Sequence, residues 1–186
     1  MMIAVVGSGG KTTLLKKMAA NYREQGKTVF LTTTTHMFIE ADTLLTDDAD
    51  VIIRALREAG YVMAGIPEGK KIKALSKETF ETVCANADVI LVEADGSKHM
   101  PLKFPNGSEP VIPENVDQII VVWGAHGLHK PAWAVCHRLE LVMQCLDIDE
   151  DTVITEEHVR KLIREGYILP LQSNHPQAKI SVYPNL

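Results

Sequence analysis

A three-layer α/β fold with a mostly parallel sheet is predicted by three observations in this 186-residue sequence. The chain opens on an apolar, β-branched run, "MIAVV" (2–6), that breaks into glycines and then into a stretch of helical period. A second strand-like run, "TVFLTTTT" (28–35), follows that stretch, which makes a strand–helix–strand unit. Two later runs, "DVILVEADG" (88–96) and "QIIVVWG" (118–124), each hold four or more consecutive apolar residues. Unbroken apolar runs of this length mark strands covered on both faces, as in the middle of a parallel sheet.

Each element has a local cause. Residues 2–6 are bounded by Gly7, which ends the strand. From Lys11 to Gln25, Leu14, Leu15, Met18, Ala19 and Tyr22 recur at helical spacing, and Gly26 closes the helix. A helix is predicted over 51–59, closed by Gly60, and a strand over 61–65. "GIPEGKKIK" (65–73) reads as a loop whose three lysines make a solvated face. Ser76 caps a helix over 79–85. The proline-rich stretch "SKHMPLKFPNGSEPVIP" (97–113) is expected to be a long irregular connection of the kind that carries function. A helix over 155–165 opens with Thr-x-x-His rather than a full capping box, and one strand is expected near 179–183. Nothing marks an internal repeat or a low-complexity tract, so one domain over 1–186 is expected.

Composition narrows the function. The formal net charge of −5 argues against broad binding to nucleic acid. The three cysteines, Cys84, Cys136 and Cys145, form no CxxC pair and suggest buried thiols in a reducing compartment. "MMIAVV" is too short for a signal peptide and no apolar run approaches membrane-spanning length, so a cytoplasmic protein without a membrane partner is expected.

The chemistry begins at "GSGGKTT" (7–13). A phosphate needs converging backbone N–H groups, a helix N-terminus behind them and a positive side chain. Gly7, Ser8, Gly9, Gly10, Lys11, Thr12 and Thr13 supply these parts, although Val5 stands where the longer G-x-x-x-x-G-K-[ST] motif has its first glycine. Lys11 is expected to neutralise the β- and γ-phosphates, and Thr12 to offer its hydroxyl to Mg²⁺. An ordinary strand-to-helix turn is the plainer alternative, and the run Gly-Lys-Thr-Thr after an apolar strand argues against it. "VILVEADG" offers Glu93 as a metal-holding acid at a strand end. Asp95, two residues on, is read as the catalytic group that orients water or the γ-phosphate surroundings. "TTTT" (32–35) fits strand propensity and phosphate contact equally. His126, His129 and His137 read as ordinary surface or packing histidines.

Together, "GSGGKTTLL", "TTTTHM", "VEADGSKHMPLKFP", "SEPVIP" and "GLHKP" resemble the selenium-dependent hydroxylase accessory protein family, YqeC type, across most of residues 1–140. The resemblance implies a P-loop NTPase-like protein with an accessory role in maturing a selenium-dependent molybdenum hydroxylase. That enzyme, or its maturation proteins, would be the partner. The loop alone also resembles that of Mur-type ligases, although their large central and C-terminal regions would not fit in 186 residues. The sequence has no N-K-x-D guanine reader, which leaves ATP and GTP both open. The expectation is Mg²⁺-dependent binding and hydrolysis of a nucleoside triphosphate. The alternatives are a kinase or ligase whose acceptor meets Lys98 and Lys103, and a non-catalytic module that responds to nucleotide. Lys98 and Lys103 are expected at the surface, where alanine would leave stability nearly unchanged.

Overall fold

The computed structural model describes residues 1–96 and 99–186. Ser97 and Lys98 lie outside the described residues, so the expectation for Lys98 has no structural counterpart. The chain runs β1 (Met2–Gly7), α1 (Lys11–Glu24), β2 (Val29–Thr33), β3 (His36–Phe38), β4 (Thr43–Leu45), α2 (Ala49–Ala59), β5 (Tyr61–Glu68), β6 (Lys71–Lys73) and α3 (Lys77–Cys84). It continues through β7 (Val89–Glu93), β8 (Leu102–Lys103), β9 (Gln118–Gly124), α4 (Ala132–Val135), β10 (Cys136–His137), α5 (Leu139–Leu146) and α6 (Glu156–Ile163). A π-helical turn (Arg164–Ile168), α7 (Leu169–Asn174) and β11 (Lys179–Asn185) complete it.

Among the described residues, nine strands form one sheet in the order β11-β9-β1-β7-β2-β5-β6-β3, with β4 beside β5. The stretch from β11 to β5 is parallel throughout, and β6 and β3 extend it antiparallel. This is a three-layer α/β fold with a mostly parallel sheet, as the sequence predicts. Alternation along β1 divides the core. Ile3 and Val5 pack with Leu14, Leu15 and Ala19 of α1 on one face. Met2, Ala4 and Val6 pack on the other face with Ile52 and Leu56 of α2, Val83 of α3 and Tyr167 of the π turn. A third cluster, around Leu102, Val135, Val142 and Leu162, joins β8 to α4, α5 and α6.

Four features depart from the sequence expectation. Residues 66–73 are not a loop: Ile66 to Glu68 pair antiparallel with Lys71 to Lys73, so the lysines alternate on a hairpin with Ile72 buried between them. The α6 N-terminus does carry a capping box. Thr155 Oγ1 accepts from the His158 N–H and His158 Nδ1 accepts from the Thr155 N–H, each at 3.3 Å, so histidine fills the role usually taken by Glu or Gln. The connection after β7 contributes a short strand, β8, paired with β10. Lys103, at its end, is 3% exposed rather than at the surface.

Candidate functional site

β1 lies directly between β7 and β9, so the turn that follows it is framed by the ends of two other strands. The register sets Val5 opposite Glu93, which brings the last residue of β7 up to the start of α1. Gly9 and Gly10 hold φ of 75° and 120°, in the left-handed region that glycine alone enters freely. A Cβ on Gly10 would lie 2.2 Å from Asn185 Nδ2, which donates to Gly9 O at 2.8 Å. The final strand thus fastens the loop from outside.

The loop's polar groups converge on one acid. Thr12 Oγ1 donates to Glu93 Oε2 at 2.6 Å, and Lys11 Nζ lies 3.9 Å from Glu93 Oε1 while donating to Gly7 O at 3.0 Å. Burial lowers the Lys11 pKa, with the Glu93 and Asp95 carboxylates acting against it. Burial also raises the Glu93 pKa, against the pull of Lys11 and the Thr12 hydroxyl. A cavity of about 820 Å³ opens above these residues. Gly9, Gly10, Lys11, Thr12, Thr13 and Glu93 all line it. Gly7 and Ser8 lie beneath: the Ser8 hydroxyl donates to Pro101 O at 2.9 Å, and Ser8 is 2% exposed. The lining also includes Thr35, Phe38, Lys71, His126, His137 and Arg138.

Asp95 is placed differently from Glu93. It is fully buried, with no exposed surface, and does not line the cavity. Its Oδ2 accepts from the Gly7 N–H at 3.1 Å and from the Tyr167 hydroxyl at 3.0 Å, and its Oδ1 takes the Lys103 ammonium. Lys103 also donates to Glu109 Oε2 at 2.9 Å and to Gly96 O, and Arg138 Nη2 meets the same Glu109 oxygen at 2.7 Å. Burial pushes the Glu109 carboxyl up, but hydrogen bonds from Lys103 and Arg138 outweigh it and hold the pKa down at about 2. The result is a chain of charges that runs from buried Asp95 and Lys103, beneath the glycine turn, to partly exposed Glu109 and Arg138 at the cavity wall. The physical reason for the departure from expectation is that β7 ends at Glu93. Past that point Asp95 meets protein donors instead of water.

The threonine run separates by residue. Thr32, Thr33 and Thr34 donate their hydroxyls to the carbonyls of Ala64, Glu93 and Val111, at 2.8, 2.7 and 2.6 Å. Thr35 lines the cavity. His126 and His137 line it too, whereas His129 does not. Sequence reasoning missed Glu109, Arg138, Tyr167 and Asn185. Glu109 stands inside the quoted "SEPVIP", so its motif was visible without its role. No local signal marks the other three, because each acts through contacts at least 29 residues away in sequence.

These features define a three-layer α/β protein with a glycine-rich turn and a buried acid at the carboxyl edge of a mostly parallel sheet. The chain belongs to the YqeC protein family, whose model matches residues 3–140. It is similar to the "Uncharacterized protein YqeC" of Escherichia coli (strain K12), with 35% identity over 192 residues, covering 98% of this chain and 71% of that protein. No solved structure matches it.

Proposed function

We propose that the protein binds ATP or GTP together with Mg²⁺ in this cavity and hydrolyses it. One observation carries the reading: Glu93 receives both the Thr12 hydroxyl and the Lys11 ammonium, the residues that open α1 behind the glycines. An acid so placed, with a hydroxyl 2.6 Å away, suits a hard cation that takes oxygen ligands. Among the described residues, no three His, Cys, Asp or Glu side chains cluster into a metal site of their own. That is compatible with Mg²⁺, which keeps several waters and shares its shell with substrate phosphates. Thr12 and Glu93 would hold it, and when bound it would offset charge on the phosphate oxygens.

The chain's own residues do the rest. The backbone N–H groups at the start of α1 face a phosphate with the positive end of the helix dipole. Lys11 swings from Gly7 O to the phosphate oxygens, and its ammonium form is favoured by the charge it meets there. Asp95, sealed from the cavity, is assigned to positioning rather than to water activation, since it holds the Gly7 N–H and so the entry to the turn. The resemblance carried by "VEADGSKHMPLKFP" extends the proposal to an accessory role in maturing a selenium-dependent molybdenum hydroxylase.

The test is nucleotide titration of the parent and of Lys11→Ala. The variant is expected to lose at least tenfold in triphosphate affinity, about 1.4 kcal/mol, with its fold intact. Equal affinity in the two proteins would remove the turn as the phosphate site.

A further inference from the structure

Among the described residues, Arg138 Nη1 is a buried side-chain nitrogen without a hydrogen-bond partner. Buried guanidinium donors are rarely left this way, so each such case asks what ligand it serves. The other arm is accounted for, because Nη2 donates to Glu109. The acids that line the cavity are already engaged: Glu93 with Thr12 and Lys11, Glu40 with Lys16, and Glu109 with Lys103 and Arg138. Arg138 lines the same cavity, and its buried Nη1 is a charged donor with no acid of the protein as partner. Arg138 also sits at φ 59°, a left-handed backbone that a non-glycine residue adopts only when its surroundings impose it.

The same cavity is lined by Gly9, Gly10 and Lys11. Arg138 is joined to their underside through Glu109, Lys103 and Asp95. Glu109 holds Nη2, and a rotation of the guanidinium would bring Nη1 to the cavity to give an oxyanion one charge-assisted hydrogen bond.

Resting on the nucleotide reading above, we propose that Arg138 is the residue that distinguishes a triphosphate from a diphosphate, its Nη1 donating to the terminal phosphate. The ion pair with Glu109 sets the guanidinium plane. The Lys103–Asp95 link ties that plane to the same turn that holds the inner phosphates. A triphosphate completes the arginine's hydrogen bonding, whereas a diphosphate leaves Nη1 as it is.

The experiment compares the affinities of Mg-ATP with Mg-ADP, and of Mg-GTP with Mg-GDP, in the parent, Arg138→Lys, Arg138→Gln and Lys11→Ala. Arg138→Lys keeps the charge and the Glu109 pair but lacks the second arm. It is expected to lose at least tenfold in triphosphate affinity and to bind the diphosphate within about twofold of the parent. Lys11→Ala is expected to weaken both. If the Arg138 variants keep the parent's preference, or lose both nucleotides equally while Lys11→Ala behaves as expected, Arg138 is structural and the inference falls while the nucleotide reading stands. A parent that binds none of the four overturns both.

Discussion

Glu93 and Lys11 are each driven toward their neutral forms by burial, and each is offset mainly by the other. A cation at Glu93 and an anion at Lys11 would relieve both at once, so the pair is poised for a ligand that brings both charges. The pH dependence follows from the direction of the Glu93 shift. Protons compete with a cation for a carboxylate whose pKa lies above its ordinary 4.5. Mg-nucleotide affinity should therefore fall as pH decreases, beginning above that value. Glu93→Gln should flatten this dependence and abolish the Mg²⁺ requirement and turnover. Calorimetric titration over a pH series, with and without Mg²⁺, measures both. A Glu93→Gln protein with the parent's Mg²⁺ dependence would show that the cation sits elsewhere. At this scale the sequence was legible where chemistry is local. Gly9, Gly10, Lys11 and Thr12 are contiguous, and their conformational and charge requirements can be read from residue type. Asp95 could not be placed this way, because its partners Lys103 and Tyr167 come from two other parts of the chain.

Among the elements, the π-helical turn Arg164–Ile168 has the most specific task. It interrupts the run from α6 to α7, and such one-turn insertions re-aim side chains, often at functional sites. Here it buries Tyr167 with its hydroxyl on Asp95, and Gly166 in the same turn leaves room for Phe104 and Pro105, which a Cβ would meet at 3.1 and 2.9 Å. Tyr167→Phe removes one donor from a buried carboxylate and should cost about 1–3 kcal/mol of folding stability. Lys103→Ala leaves the buried Asp95 carboxylate without its counter-charge and should cost more, about 3–5 kcal/mol. Denaturant midpoints of the two variants check this, and a parent-like midpoint for Lys103→Ala would return that lysine to the surface role its sequence suggested. The hairpin of β5 and β6 went unseen because glycine, proline and three lysines read as a turn cluster, while only Ile72, fully buried, and Ile66, partly buried, tie it to the core. The strands β1, β2, β7 and β9 were legible because burial on both faces demands apolar residues without interruption.

For the molecule as a whole, the charge chain joins pieces that the sheet alone does not. Asp95 follows β7, Lys103 ends β8, Glu109 lies in the connection to β9, and Arg138 precedes α5. Protonating Glu109 should therefore be felt in global stability. Its folded pKa of about 2 lies below the ordinary 4.5, so its contribution is complete above about 4.5 and is lost as pH falls through about 2. Acid unfolding of the parent should steepen across that window, and Glu109→Gln should lose that slope. Identical acid profiles for the two proteins would mean that the carboxylate is equally unperturbed before and after folding. The parallel sheet and its covering helices were foreseeable from periodicity. Of the third cluster only α6 was foreseeable, as the helix expected over 155–165; α4, with four residues, is too short to show a period, and the cluster depends on Leu102 and Val135 meeting across a long separation.

The clamp of Asn185 on Gly9 spans 176 positions of sequence. A ribosome makes the glycine turn 176 residues before its fastener, which follows β9, the strand that provides the edge on which β11 lies. The nascent chain thus carries an unfinished turn throughout that interval, and the turn closes only when the edge strand is in place.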